Sequence, residues 1–403
     1  MSGREPAERT GAAIDARLDK GKTPVLGDEN ALKLGIFATN LRGGVTLADI
    51  DGNLKGTWNE TVGLAQWADR IGLDAVVPVA RWRGYGGKAN LGDRSFDTFT
   101  WAAGLLSVTT RIMVFSTWHV PIAHPVLAAK MGATVDHISG GRFGLNIVAG
   151  WNASELAMFG LTQRDHDERY EVADEWAQVL KQLWTVNGER DFHGRFYDVP
   201  GGFSEPKPLQ DPYPVIMNAG TSGAGRQFAA KHSDLIFAGL TTLDTAAEQI
   251  AEIKQIARDQ HGREIRVFGR GHVVCRDSER QALADWDLIH KQLADRQGAL
   301  ETTRMNMANS QSTPFDELKA EAVIEGMIAG FWALPIIGSP DQIAEKLVAL
   351  HRAGLDGIAL SWPDYQEGLG QLEHEILPLL VQAGVRRSAQ ERVPPSAPPV
   401  LGS

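Results

Sequence analysis

The stretch from Asp136 to Tyr170, DHISGGRFGLNIVAGWNASELAMFGLTQRDHDERY, decides how the rest of the chain reads. Its middle, Arg142 to Val148 (RFGLNIV), runs apolar like a buried parallel strand. A Gly-Gly turn precedes it, and Ala149-Gly150-Trp151-Asn152 stands where such a strand would end. In an alternating α/β chain, ligands meet the protein at the carboxyl ends of the strands. Asn146, Trp151, Asn152 and Glu155 are therefore placed to touch one. A plain core strand with a polar exit loop gives the same pattern, and both readings stay open on these residues.

The same strand-then-helix rhythm recurs on either side. Strand-like runs occupy Leu34 to Ala38, Ala75 to Val79, Ile112 to Ser116, Pro214 to Met217, Leu235 to Ala238, Ile265 to Cys275 and Gly357 to Trp362. Helical runs of about a dozen residues or more separate them, as at Trp58 to Ile71, Phe96 to Leu106, Pro125 to Ile138 and Ala246 to Arg258. With Arg142 to Val148 this makes eight strands, the count of a (β/α)8 barrel. Residues 278–337 break the rhythm and read as a helical insertion late in the barrel, without a clean strand. Residues 1–31 read as a flexible N-terminal arm, 32–387 as the barrel, and 388–403 as a disordered Pro-rich tail.

Composition removes several function classes. The 403 residues carry Lys+Arg 40 against Asp+Glu 50, a net charge of −10. Such a surface lacks the basic stripe that nucleic acid requires. Cys275 is the only cysteine, which excludes an internal disulfide or a thiolate metal cluster. No apolar run has membrane-spanning length, and the charged first residues lack a signal-peptide core. The expectation is a cytoplasmic protein without a metal. No Gly-rich dinucleotide signature, His-Glu-x-x-His or G-x-S-x-G elbow occurs.

Four stretches, taken together, carry a resemblance: the run Asp136 to Tyr170, ARWRGYGGK at Ala80 to Lys88, the HDERY at His166 to Tyr170, and NAGTSGAGRQFAA at Asn218 to Ala230. The chain resembles the bacterial-luciferase-like flavin monooxygenases. The similarity is greatest to the subgroup with the pyrimidine, dimethyl sulfone and nitrilotriacetate monooxygenases. The resemblance implies a luciferase-like TIM barrel using FMN as FMNH2, made by a separate NAD(P)H:flavin reductase, together with O2. It implies transfer of one oxygen atom to a small organic substrate through a flavin peroxide, in a homodimer or homotetramer. The same barrel also serves F420-dependent oxidoreductases, and a non-catalytic flavin-binding barrel is the third alternative.

The resemblance also assigns residues. It gives Ser222, Arg169 and Tyr170 to the FMN phosphate, and Ala80, Arg81, Asn146 and Glu155 to the flavin. Relatives carry Lys where this chain has Arg81, which keeps the charge and changes the geometry. Asn146, Trp151 and His119 are the candidates beside the reacting face. From residue type alone, Ser222 reads first as a helix N-cap, Arg169-Tyr170 as an ordinary helix start, and His119 as a structural histidine.

Overall fold

The computed structural model describes residues 17–220, 222–240, 242–309 and 317–388. Its main sheet has nine parallel strands. Eight of them form the barrel: β1 (Lys33–Phe37), β2 (Ala75–Val77), β3 (Met113–His119), β4 (Phe143–Val148), β5 (Val215–Asn218), β6 (Leu235–Phe237), β7 (Arg266–Cys275) and β8 (Gly357–Ser361). Each pairs with its neighbour in sequence, and β8 returns to β1 with Leu360 opposite Ile36, so the sheet closes.

Alternation along the strands sorts the core into two layers. Phe37, Val77, Met113, Phe115, Met217, Phe237 and Phe268 belong to the interior cluster. Ile36, Val76, Val114, Leu145, Ile147, Ile216 and Val267 pack outward under the helices. Local chemistry sets the helix ends. Thr57 and Glu60 form a capping box on helix Trp58–Arg70. Helix Pro125–Ser139 starts with Pro at its first turn and stops at Gly140, whose φ of 65° is the left-handed cap a glycine adopts freely.

Two regions differ from expectation. The insertion does hold a strand, Leu334–Gly338, which pairs in parallel with Gly271–Cys275 in the upper half of β7. Its sequence, LPIIG, contains Pro335, which cannot donate to a ladder and suits an edge position. That proline hides the strand in a pattern search. The second difference is at the N-terminus, where residues 17–31 pack against their own barrel. Leu18–Asp19 pairs with Gln210–Asp211, Lys20 Nζ lies 2.7 Å from Asp234 Oδ1, and Val25 is fully buried in the barrel's interior cluster. An open barrel end exposes apolar interior, and Val25 closes it. Residues 1–16 and 389–403, the remainder of the expected arm and nearly all of the expected tail, lie outside the described residues.

Above the barrel, the insertion is tied to the ARWRGYGGK loop. Asp295 Oδ2 accepts from the Ala89 amide at 2.6 Å, and the rings of Tyr85 and Phe331 lie 5.2 Å apart. Gly330, Phe331 and Trp332 follow one another with φ of 87°, 60° and 54°. Two bulky residues held left-handed store roughly 1–2 kcal/mol each. Gly330 is required there: a Cβ on it would come within 2.8 Å of His272 Cγ. Among the described residues, no helix is long and apolar enough to cross a membrane.

Candidate active site

The carboxyl ends of β2, β3 and β4 bring most of the expected residues together. Asn146 is 5% exposed on β4, opposite Thr117 of β3. Its Nδ2 donates to Thr117 Oγ1 at 3.1 Å, while Thr117 Oγ1 itself donates to the Pro78 carbonyl. This fixes the amide orientation and leaves Asn146 Oδ1 as a buried acceptor without a partner.

Arg81 and Glu155 meet each other. Arg81 Nη2 stands 3.1 Å from Glu155 Oε1, with side chains 1% and 2% exposed. Glu155 Oε1 also accepts from the Trp82 amide at 2.9 Å, and Asn152 caps the short helix that carries Glu155. Arg81 is held further by cation–π contacts, 3.9 Å to Tyr85 and 5.3 Å to Trp151. Arg81 Nε and Nη1 and Glu155 Oε2 remain buried and unpartnered. Ala80 follows Val79, whose peptide is clamped at both N–H and C=O by the Asn40 amide.

His119 ends β3. Burial, aided by the Arg81 charge, pushes its pKa down to about 4, so the ring is neutral at neutral pH. Trp118, its neighbour in sequence, turns outward and packs against Phe99 with centroids 4.4 Å apart, so it is a core residue.

The second half of the site lies at β5. Ser222 caps helix Gly223–His232 and accepts from the Gly225 amide at 3.1 Å. The N-cap reading is therefore correct, and it is compatible with a ligand. Ser222 also hydrogen-bonds Tyr170, whose pKa burial raises and Ser222 and Arg169 pull back down. The turn is closely packed: a Cβ on Gly220 would meet Gly225 Cα at 2.7 Å, and one on Gly225 would meet Tyr170 Oη at 2.7 Å. Gly223 faces open space, with nothing within 4 Å of a built Cβ. Arg169 donates from Nη1 to the Gly150 carbonyl at 2.8 Å and so ties its helix to the β4 exit loop. Asn218 joins the two halves, donating to the Ile147 carbonyl at 2.7 Å while accepting from the Gly220 amide at 2.8 Å.

Three residues were missed by the sequence reading. Tyr85 lay inside a quoted motif without an assigned role; its ring is 4% exposed under Arg81. Arg270 and His272 alternate on β7 with apolar neighbours. A charged residue at an inward strand position was the available signal. The Arg270 guanidinium lies 5.7 Å from the Phe237 ring, and burial lowers its pKa to about 10. Among the described residues it has no carboxylate partner, and its Nε is buried and unsatisfied. His272 is fully buried, with Nδ1 3.0 Å from Ser361 Oγ.

The geometry can be set beside known proteins. Residues 32–357 match the family model described as luciferase-like monooxygenase. The chain is 29% identical over 360 residues to pyrimidine monooxygenase RutA of Acinetobacter baylyi, covering 87% of this chain and 95% of the relative. It is 30% identical over 366 residues to the FMNH(2)-dependent dimethylsulfone monooxygenase of Pseudomonas putida, covering 90% and 97%. A solved structure of riboflavin lyase (RcaE), with modified FMN and riboflavin, superposes with a TM-score of 0.81 at 23% identity, covering 90% of this chain and 94% of that one. At that identity the likeness concerns the fold.

Proposed function

The chain belongs to the luciferase-like monooxygenase family, and on that premise we propose that it is a two-component FMNH2-dependent monooxygenase. It takes reduced FMN from a separate NAD(P)H:flavin reductase and inserts one atom of O2 into a small organic substrate. The observation that carries this reading is the set of unpartnered buried polar atoms at the barrel mouth. Asn146 Oδ1 and Glu155 Oε2 are acceptors, and Arg81 Nε and Nη1 are donors. The pyrimidine edge of an isoalloxazine alternates carbonyl and N–H groups, so it needs such a mixed set. Buried polar atoms left bare cost about 1–3 kcal/mol each, which a matching ligand edge recovers.

The β5 turn fits the phosphate. Ser222 Oγ and Tyr170 Oη supply hydroxyl donors, and Gly223 leaves the helix N-terminus open to an anion. Arg169, bound to the Gly150 carbonyl, sets the loop and the local positive charge.

Reduced FMN, when bound, supplies the electrons that activate O2. The chain's own work is electrostatic and steric. Arg270, buried and without a carboxylate partner among the described residues, places a positive charge where an oxyanion can be met. His119, neutral, can accept a proton at a ring nitrogen. Tyr85, Trp151 and Phe331 exclude water from the mouth. The substrate classes to test first are heterocyclic amides and acyclic sulfones, after the pyrimidine and dimethylsulfone monooxygenases to which the chain is similar.

Leu127 and Ile138 on helix Pro125–Ser139, apolar yet 52% and 49% exposed, support pairing of two barrels. The deciding experiment couples the protein to a flavin reductase under 18O2 with heterocyclic amides, sulfones and sulfonates. One labelled oxygen in a product is the expected result. Turnover with reduced F420 alone, and none with FMNH2, would overturn the reading.

A further inference from the structure

Two histidines between the barrel mouth and the insertion end on bare acceptors, and the hydrogen bonds around them fix which nitrogen is bare. His272 follows Phe268 and Arg270 on the inner face of β7, and Ser361 stands opposite it on β8. His290 comes from the insertion, on the π-helical turn Leu288–Gln292, a widened turn of a kind frequent at functional sites. The two imidazoles cross at 86° with centroids 5.1 Å apart, and Trp286 stacks on His290 at 3.9 Å. Ser361 Oγ has one proton and donates it to the Gly271 carbonyl at 3.1 Å. It can therefore only accept from His272, so the proton of that ring sits on Nδ1, 3.0 Å away. His290 Nδ1 lies 3.0 Å from the Trp286 carbonyl, which also only accepts, so its proton is on Nδ1 as well. Burial holds both rings neutral, His290 with a pKa pushed down to about 4 and His272 well below its ordinary value. Each ring is thus left with an Nε2 lone pair, buried and without a partner among the described residues.

Two buried acceptors call for a donor. A cation is a poor one here. Arg270, about 6.5–7 Å back along the same strand face, already brings a positive charge, and no third His, Cys, Asp or Glu joins the pair as a ligand group among the described residues. A neutral donor remains. Arg270 adds the opposite demand, because its buried Nε is a donor without a partner and suits a carbonyl oxygen. An N–H beside a C=O, the edge of an amide, meets both demands at once. A sulfone or sulfonate offers oxygen acceptors alone and would set its lone pairs against those of both histidines.

We propose that His272 and His290 recognise the substrate through their Nε2 atoms, and that this substrate is a neutral amide bearing N–H, with its carbonyl on Arg270, rather than a sulfone or sulfonate. The proposal rests on the monooxygenase reading above and narrows its substrate class. It also gives the insertion a direct part in selection, since His290 reaches the substrate from there while His272 and Arg270 reach it from the barrel.

The first test needs no turnover. In the full chain labelled with 15N-histidine, with and without oxidised FMN, imidazole NMR should show both rings neutral at neutral pH, with the proton on Nδ1 and Nε2 bare; His272→Gln and His290→Gln assign the signals. Uracil, succinimide and benzamide at millimolar concentration should move the Nε2 resonances upfield, as accepting a hydrogen bond does. Their counterparts with every N–H methylated, and dimethyl sulfone, should leave them in place. The second test is reductase-coupled oxygenation, in which kcat/KM for an N–H probe should exceed that for its N-methyl counterpart at least about 100-fold. His290→Phe, which keeps the stack on Trp286, should narrow that gap about tenfold, and His290→Gln, which keeps an acceptor, should restore part of it. A proton on either Nε2 in the free chain overturns the proposal. So does a panel in which no N–H probe moves either resonance, or in which dimethyl sulfone is oxygenated faster than every N–H probe. Nε2 shifts with the N–H probes but no turnover with FMNH2 is a different outcome: the recognition stands and the monooxygenase reading falls.

Discussion

Replacing Asn146 with Ala separates a ligand-binding role from a packing role, and the structure sets the magnitudes. The side chain makes one protein hydrogen bond, Nδ2 to Thr117 Oγ1 at 3.1 Å, a neutral pair worth about 1 kcal/mol net. Thr117 Oγ1 keeps its own bond to the Pro78 carbonyl, so the deletion strands no donor. Asn146 Oδ1 has no partner to lose, and removing a bare buried acceptor recovers about 1–3 kcal/mol of desolvation. The two terms nearly cancel, so the flavin-free protein should melt within about 3 °C of wild type. Affinity for reduced FMN should fall about tenfold, matching the loss of roughly one hydrogen bond to the ring. Coupled oxygenation should fall by about 100-fold if the amide also serves the reacting face. Differential scanning calorimetry, anaerobic flavin titration and product mass give the three readouts. A variant that melts far below wild type yet binds flavin and oxygenates normally per folded molecule would refute the reasoning.

Ser222→Ala combined with Tyr170→Phe should weaken FMN at least tenfold with the fold retained, since each removes a hydroxyl proposed to serve a charged phosphate; an unchanged dissociation constant contradicts the phosphate placement. Glu155→Ala leaves Arg81 charged, buried and unpaired and should cost about 3–5 kcal/mol, whereas the Arg81→Met/Glu155→Leu double variant should cost less, as chemical denaturation will report. His119 and His290 have pKa values pushed down to about 4 by burial, and His272 lies well below its ordinary value. Their stabilising contribution is therefore complete above pH 6.5 and is lost as pH falls from there through about 4, because the unfolded chain takes up protons the fold refuses; the slope of stability against pH should flatten in His290→Gln, and an unchanged slope counts against burial as the cause. Light scattering should give at least a dimer, and Leu127→Arg/Ile138→Asp should shift it to a monomer; a monomeric wild type contradicts the interface.

The barrel was legible because its signal is redundant. Eight apolar runs with helices between them allow few other topologies, and a boundary error of two residues at Val79 or three at Ser116 changes nothing. The Leu334–Gly338 strand was hidden because one proline in five residues outweighs three apolar neighbours in any local pattern. The candidate site was assigned by family position more than by physics. Asn146, Tyr170 and Ser222 stand at strand ends and a helix start, where pattern alone gave two readings each. For Ser222 the N-cap reading holds, and the phosphate contact is the reading proposed above. Arg81 and Glu155 illustrate what sequence cannot carry: each looked like a ligand contact, and 74 positions of separation concealed that they neutralise each other. Arg270 escaped notice because its burial, without a carboxylate partner among the described residues, is a property of the assembled barrel.

The short N-terminal strap has a consequence for how the molecule is made. Arg17 reaches the Gln210 carbonyl, 193 positions later in the chain, and Lys20 waits for Asp234. At a synthesis rate of about 5–20 residues per second, the strap spends roughly ten to forty seconds outside the ribosome before its docking site exists. A segment translated early is therefore among the last to be seated, and the floor of the barrel stays open until Val25 arrives. A carrier domain fused ahead of this segment loads the late closing step, and refolding yield with and without it will register the difference.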